Sequence, residues 1–168
     1  MRKMTLGIIM CIIGLIMLVP TIVKHVEFRQ NCSGYIKQAA NAGSVEMCLE
    51  RLDKAIDYAY KKGWTEGYTS VIYKTEDENV GFWFENLKLC HYTLVDALDE
   101  QSLTQSNALM RVRECLTDNG ANGTHLTIPT GLLYYPNNIA WGGYRLVLVL
   151  LLIGGVVVAL CDDEIIWL

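Results

Sequence analysis

Two long apolar runs, one near each end of the chain, constrain the fold more than any other feature of the sequence. The first runs from Leu6 to Val23 and the second from Ala140 to Leu160. A helix needs about twenty apolar residues to cross a bilayer, at roughly 1.5 Å of rise per residue, and both runs are of that length. In lipid every backbone N–H and C=O must be satisfied within its own segment. Both runs are therefore predicted to be transmembrane helices.

The segment between the two runs has the mixed charge of a water-soluble domain. We predict a mainly α fold in which the two membrane helices flank an antiparallel helical bundle, with a possible short two-stranded β element. The predicted divisions are an N-terminal anchor (1–23), an extracytoplasmic helical domain (24–139), a second transmembrane helix (140–161) and a short acidic cytoplasmic tail (162–168). The net charge of −4 argues against a nucleic-acid partner, which requires a basic face.

The charges beside the apolar runs predict the orientation. Arg2 and Lys3 precede the first run, but its apolar core is longer than that of a signal peptide and no small-x-small cleavage site follows it. We therefore predict an uncleaved signal anchor whose basic start lies in the cytoplasm. Two crossings return the chain, so both termini are expected inside and the central domain outside, although Lys24, Arg29 and Arg145 flank the opposite side.

Three helices are predicted in the central domain from apolar residues spaced three and four apart. Ser44 is the expected N-cap of the first, and Gly63 is expected to end it. The other two are expected to open with capping boxes at Thr75–Glu78 and Ser102–Gln105. The predicted spans are 44–62, 76–99 and a third that ends at Asn119-Gly120. After Val23 a short polar linker is expected over 24–34, and Tyr35–Ala42 is expected to be helical.

Two short segments carry strand-like patterns. Tyr68–Tyr73 is rich in β-branched and aromatic residues, and Thr124–Ile128 alternates before Pro129. Pairing between the two is one way to satisfy backbone groups that either strand alone leaves open.

Four of the six cysteines lie in the central domain, an even number that permits two disulfides outside the cytoplasm. Cys48 and Cys90 lie about fourteen residues from opposite sides of the same helix–helix turn, at roughly 21 Å from it. They are predicted to be neighbours, whether bonded or not. Cys32 with Cys115 follows by elimination, and Cys90 with Cys115 is the rival pair. The alternative is that all four are small buried thiols.

Small residues mark one face of each membrane helix. Gly7, Cys11 and Gly14 lie on one face of the first, and Gly155 and Ala159 are four apart in the second. Small residues at such spacing let membrane helices approach closely. The two faces are expected to pack either against each other or against neighbouring subunits.

Aromatic residues form two predicted groups. One surrounds the distal turn of the bundle and is either core or a surface for a partner; it comprises Trp64, Tyr68, Tyr73, Phe82 and Trp83, with Phe84 beside them. The other is expected to anchor the chain at the membrane interface; it comprises Tyr134, Tyr135, Trp141, Tyr144, Arg145 and Trp167.

The sequence contains none of the familiar catalytic, metal or phosphate-loop motifs. His25 and His125 belong to no ligand spacing, and His91 is expected to be a core histidine bonded to a carboxylate such as Asp96 or Glu114. No metal or cofactor is predicted. Asn31 and Asn122 begin tripeptides that match the N-glycosylation acceptor pattern.

These features predict a non-enzymatic integral membrane protein that acts in protein–protein assembly, either as an accessory subunit of a larger complex or as a homo-oligomer. The alternative is a sensory or ligand-binding membrane module that relays its signal through a partner. A pore made of oligomerised hairpins is disfavoured because neither membrane helix has a polar face.

Overall fold

Both apolar runs are helices, and each helix is longer than the run that predicts it. The computed structural model describes residues 2–70, 72, 74–120 and 123–160. Helix α1 covers Arg2–Phe28 and helix α6 covers Asn138–Leu160. In each, only 11% of the most apolar 18-residue window is buried. These helices are therefore long and apolar enough to span a membrane, and their side chains are not the core of a globule.

The linker expected after Val23 is helical instead. Helix α1 continues to Phe28 and a π-helix follows at Arg29–Ser33, whereas helix α2, Gly34–Ala40, lies where a helix was expected. Within the π-helix, the Asn31 side-chain amide donates a hydrogen bond to the Glu27 carbonyl at 2.9 Å. The stretch 24–40 contains no proline and no helix cap, and its polar composition alone is not enough to end a helix.

The described chain divides into two compact units, a terminal unit of residues 2–25 and 137–160 and a central unit of Val26–Pro136. In the terminal unit α1 and α6 pack antiparallel. Near one end Gly7 lies against Gly155, and near the other the Lys24 ammonium lies 4.9 Å from the centre of the Trp141 ring.

Helices α2 to α5 form the central unit. Helix α3 covers Val45–Lys61, α4 covers Val80–Ala97 and α5 covers Ser102–Leu116. Helix α3 packs against α2 and α4, and α5 packs against α4 and α2. The ends of α3 agree with the prediction: the Ser44 hydroxyl accepts a hydrogen bond from the Met47 N–H at 3.3 Å, and Gly63 follows with a φ of 71°.

The start of α4 differs from the capping-box prediction. Glu76–Glu78 is a separate 3₁₀ turn, and Asn79 is the N-cap, its side chain accepting from the Phe82 N–H at 3.0 Å. The Thr75 hydroxyl instead donates to the Glu78 carboxylate. The second predicted box also fails as a cap: Ser102 is already the first helical residue, and the Gln105 amide donates to the Leu98 carbonyl.

The β element pairs differently from the expectation. Strand β1, Thr117–Gly120, and strand β2, Gly123–Leu126, form an antiparallel hairpin in which Thr117 faces Leu126 and Gly120 faces Gly123. Helix α5 was expected to continue to Asn119-Gly120, but it ends at Leu116. Thr, Asp and Asn are weak helix formers, and the Thr117 hydroxyl donates to the Arg113 carbonyl at 2.7 Å, so the helix ends there.

The strand predicted at Tyr68–Tyr73 is wrong for its described part. Tyr68 makes one isolated bridge to Asn79, and the Thr69 N–H donates to the Glu78 carbonyl at 2.9 Å. The loop beyond α3 therefore closes on the 3₁₀ turn and not on β2. Val71 and Tyr73 lie outside the described residues.

The core of the central unit is a single apolar cluster drawn from all four of its helices and from the segment after β2. Its most completely enclosed members include Ile36, Leu52, Leu87, Leu116 and Leu132. Buried residues of α4 recur every one to four positions, as expected for an amphipathic helix, whereas His91 is partly exposed and Leu98 is 37% exposed.

Candidate functional site

The outer side of α4 carries large apolar side chains that the central unit leaves uncovered. Phe82, Leu89 and Tyr92 are 58%, 62% and 62% exposed. Their spacing of seven and three residues places them on one side of the helix. We call these three residues the α4 outer face. A water-soluble helix is expected to be polar on the side away from the core, so this face is a candidate contact surface.

The polar residues beside this face are paired with each other. Glu85 and Lys88 form an ion pair at 2.8 Å, and the hydrogen bond from Lys88 to Glu85 raises the pKa of the lysine. The pair is exposed, so its contribution to stability is small. The face is therefore apolar at its centre with a neutralised charge pair at its border, which resembles the composition of many protein interfaces.

The sequence pattern contained a signal for two of these residues. Leu89 and Tyr92 lie in the predicted helix 76–99 but are not among the buried residues of α4. An apolar residue outside the core-facing stripe of an amphipathic helix is expected to be exposed on the surface. Phe82 alone was placed in the predicted partner patch.

The predicted aromatic patch divides between core and surface. Trp64 and Trp83 are 3% and 5% exposed and belong to the core cluster, as does Phe84. Tyr68 and Phe82 are exposed, and Tyr73 lies outside the described residues. The Trp64 ring packs edge-on against Tyr58 at 5.5 Å between ring centres. The patch is thus not one surface.

Three of the central cysteines lie together, and none of the cysteines in the described chain forms a disulfide. The Cys90 and Cys115 thiols are hydrogen-bonded to each other, and Cys48 lies close enough to Cys90 to interact electrostatically. The Cys48 thiol donates to the Ala39 carbonyl at 3.3 Å. The structure therefore places Cys48 beside Cys90, but it brings the rival pair, Cys90 and Cys115, into contact. Cys32 and Cys115, the pair expected by elimination, do not pair in the structure. Cys115 has Cys90 as its partner, and Cys32 is fully buried.

The four thiols differ in acidity because they differ in burial and in partner. Burial raises the pKa of Cys32 to about 12 and that of Cys48 to about 11. The hydrogen bond from Cys90 stabilises the Cys115 thiolate and lowers the pKa of Cys115, while it raises that of Cys90. Cys115 also lines a cavity of about 420 Å³, shared with Asn86, Asp118 and His125. Cys115 is thus the reactive thiol of the group.

His91 contacts a carboxylate, but neither of those that were expected. Its Nε2 lies 2.9 Å from the Asp53 carboxylate on α3, and not beside Asp96 or Glu114. Both side chains are partly exposed, so the pair joins α3 to α4 near the surface. Among the described residues, no group of three or more His, Cys, Asp or Glu side chains is arranged to hold a metal ion.

The first turn of the central unit is fixed by a small polar cluster. The Tyr58 hydroxyl donates to the Glu27 carboxylate at 3.0 Å, and the Lys62 ammonium lies 2.8 Å from the same oxygen. Burial and the hydrogen bond to Glu27 raise the pKa of Tyr58. This cluster joins the end of α1 to the end of α3.

The predicted interface anchors separate into two groups. Trp141 and Tyr144 pack edge-on at 5.2 Å, and the Tyr144 hydroxyl donates to the Met17 carbonyl of the facing helix. Arg145 follows them in α6. Tyr134 is instead buried, and the Tyr135 hydroxyl donates to the Glu66 carbonyl at 2.8 Å, so these two tyrosines do not form an exposed belt with the others.

Trp167 and Cys161 lie outside the described residues, as do the acidic tail 162–168 and the second glycosylation candidate, Asn122. The first candidate, Asn31, lies within the π-helix with its amide already bonded to a backbone carbonyl.

The small residues of the two apolar helices face each other. A side chain added at Gly7 would lie 2.6 Å from the Gly155 carbonyl oxygen and 2.9 Å from the Ala159 methyl. One added at Gly155 would lie 2.7 Å from the Cys11 sulfur, and Gly14 lies against Leu152. In the described chain these small residues lie at the contact between α1 and α6.

The described geometry gives a mainly helical protein with two candidate membrane-spanning helices and a central helical unit with an uncovered apolar face. Comparison with protein-family models, curated proteins and solved structures finds no match to this chain.

Proposed function

We propose that this protein is a non-enzymatic integral membrane protein whose central helical bundle assembles with other protein chains through the α4 outer face. The observation that carries the proposal is the exposure of Phe82, Leu89 and Tyr92 on a helix whose opposite side is fully packed. Burying three such side chains against a partner releases water from a large apolar area, which is the main driving force of association.

The membrane helices support this choice of surface. Their small residues, Gly7, Cys11, Gly14 and Gly155, contact the facing helix of the same chain. Close packing within the hairpin leaves these faces covered, so they are not available to a neighbouring subunit in the same way. A surface on the central unit is then the better candidate for contact with a partner.

The proposed orientation follows from charge and from the antiparallel helix pair. Two antiparallel spans bring both ends of the chain to one side of the membrane. Arg2 and Lys3 favour the cytoplasm for that side. The central unit, Val26–Pro136, is then extracytoplasmic, and its apolar face meets partners outside the cell membrane.

The test uses the full chain extracted from its own membrane in a mild detergent. The protein is expected to elute as a discrete complex, and the triple variant Phe82→Ser, Leu89→Ser, Tyr92→Ser is expected to elute as a monomer. Truncating a hot-spot side chain costs about 2 kcal/mol or more, so the dissociation constant should rise by well over tenfold.

The matched control is the double variant Tyr60→Ser, Leu103→Ser. These residues are more than 70% exposed, on α3 and α5, so the control also removes exposed apolar surface but away from α4. A control that retains the complex supports the proposal. A wild-type chain that is monomeric at every concentration, or a triple variant that keeps the complex, contradicts it.

A further inference from the structure

A cleft of about 890 Å³ on the central unit brings together three cationic side chains from distant parts of the sequence. Arg29 and Lys37 line one wall, and Arg113 lines the other with Glu114. We call this groove the cationic cleft. Its volume is within the range of clefts that bind small molecules.

The first wall is one side of the helical segment that follows α1. Arg29, Ser33, Lys37 and Asn41 all line the cleft, and each is four residues from the next. Four-residue spacing aligns side chains along one side of a helix. The wall begins at the π-helix Arg29–Ser33, and single π turns within helices are frequent at functional sites.

The second wall is one side of α5. Met110, Arg113, Glu114 and Thr117 line the cleft at offsets of three, four and seven residues, and the β1–β2 hairpin completes the groove. The Arg113 Nε donates to the Ala40 carbonyl at 2.8 Å, which fixes the guanidinium between the two walls. A guanidinium has five N–H donors, so this bond leaves others for a ligand.

The charges of the cleft are not neutralised by the described residues. Arg29 and Lys37 form no ion pair there, and Arg113 forms none with Glu114. Other helix lysines behave differently, since Lys54, Lys62 and Lys88 each pair with a glutamate at 2.6 to 2.8 Å. In a chain with a net charge of −4, three cations against one carboxylate is a local reversal of sign.

We propose that the cationic cleft binds a phosphate-bearing anion. Phosphate offers several strong acceptor oxygens, which suit the fork of an arginine and the point charge of a lysine together. The hydroxyls of Ser33 and Thr117 and the amide of Asn41 line the same groove and supply further hydrogen-bond donors. Such a ligand is either the headgroup of an anionic phospholipid or a soluble phosphorylated molecule.

The experiment measures the melting temperature of the full chain in nanodiscs of phosphatidylcholine. In one arm inorganic pyrophosphate is titrated against sodium chloride of equal ionic strength. In the other arm phosphatidylglycerol replaces part of the phosphatidylcholine. A ligand that binds only the folded state raises the melting temperature in proportion to its occupancy of the site. We expect a rise in at least one arm.

The variant Arg29→Gln, Lys37→Gln removes two cations of the cleft, and both side chains are exposed, so the core is unchanged. This variant is expected to need about tenfold or more ligand for the same rise in melting temperature, because each charged hydrogen bond contributes substantially to binding. The control variant Lys61→Gln, Arg111→Gln changes the net charge equally, at exposed positions outside the cleft, and should leave the rise unchanged.

Each outcome decides one point. A rise with pyrophosphate that the cleft variant weakens supports a soluble phosphorylated ligand, and a rise with phosphatidylglycerol alone supports a lipid headgroup. No rise in either arm, or equal weakening in the control variant, overturns the proposal. The cationic cleft and the α4 outer face share no residue, so one proposal can fail while the other stands.

Discussion

At the scale of single residues, the chemistry of the central unit is concentrated in one thiol. Cys115 accepts a hydrogen bond from Cys90 and lines an accessible cavity, whereas Cys32 and Cys48 are fully buried. The sequence could place Cys48 and Cys90 at one height by counting residues along two helices. It could not choose between the partners of Cys90, because that depends on how α5 rotates against α4, and spacing alone does not give the rotation.

We expect Cys115 to be alkylated before the other cysteines of the central unit. The hydrogen bond from Cys90 lowers the pKa of Cys115, so its rate of reaction with iodoacetamide should rise at a lower pH than that of an ordinary thiol. Cys48, with a pKa of about 11, should remain unmodified. Mass spectrometry of the digested protein measures both rates.

The variant Cys90→Ala removes the hydrogen-bond donor, so the pH at which Cys115 reacts should move upward toward that of an ordinary thiol. Equal rates for Cys115 and Cys48 at pH 7 in the wild-type protein would contradict the assigned acidity.

At the scale of elements, the sequence predicted the interiors of the helices correctly but not always their ends. The apolar spacing predicted α3 correctly, because the spacing begins at Val45 and the capping residue Ser44 comes directly before it. At α4 the sequence predicted a cap at Thr75, whereas the N-cap in the structure is Asn79. Tertiary contacts decide here, since the Gly67 carbonyl accepts the Val80 N–H and fixes the first turn.

Replacing the caps of α4 separates these alternatives. Asn79→Ala should lower the free energy of unfolding by about 1 kcal/mol, because the Phe82 N–H loses its partner. Thr75→Ala removes only an exposed contact with Glu78 and should cost a few tenths of that value. Chemical unfolding of the two variants in detergent gives both numbers, and a larger loss for Thr75→Ala would restore the capping-box prediction.

The packing of α1 on α6 depends on small residues at the contact. Gly155→Leu places a side chain where the Cys11 sulfur and the Gly7 carbonyl already lie, so the two helices must separate. We expect a lower melting temperature in detergent for this variant. Gly143→Leu is the control, because nothing lies within 4 Å of a side chain added there. Similar melting temperatures for the two variants would show that the helices do not pack at Gly155.

At the scale of the whole molecule, the two apolar helices were predictable and the unit between them only in part. Apolar runs of about twenty residues are too long for an ordinary strand, so length and composition suffice to predict helices that are long enough to span a membrane. The pairing of β1 with β2 and the helix through Arg29–Ser33 were missed because TDNG and RQNCS are polar and carry no apolar periodicity. The cationic cleft had a local signal, the four-residue spacing of Arg29, Ser33 and Lys37, but only the fold brings Arg113 to it.

The central claim is that two spans hold the ends of the chain on one side of a membrane and the helical unit on the other. Single-cysteine forms of the full chain test it most directly, with a thiol at Lys3→Cys, at Lys61→Cys or at the native Cys161, and a membrane-impermeant maleimide added to intact cells. The account predicts that Lys61→Cys is labelled at once and that the two terminal thiols are labelled only after the membrane is opened. Labelling of one terminal thiol but not the other in intact cells would contradict it.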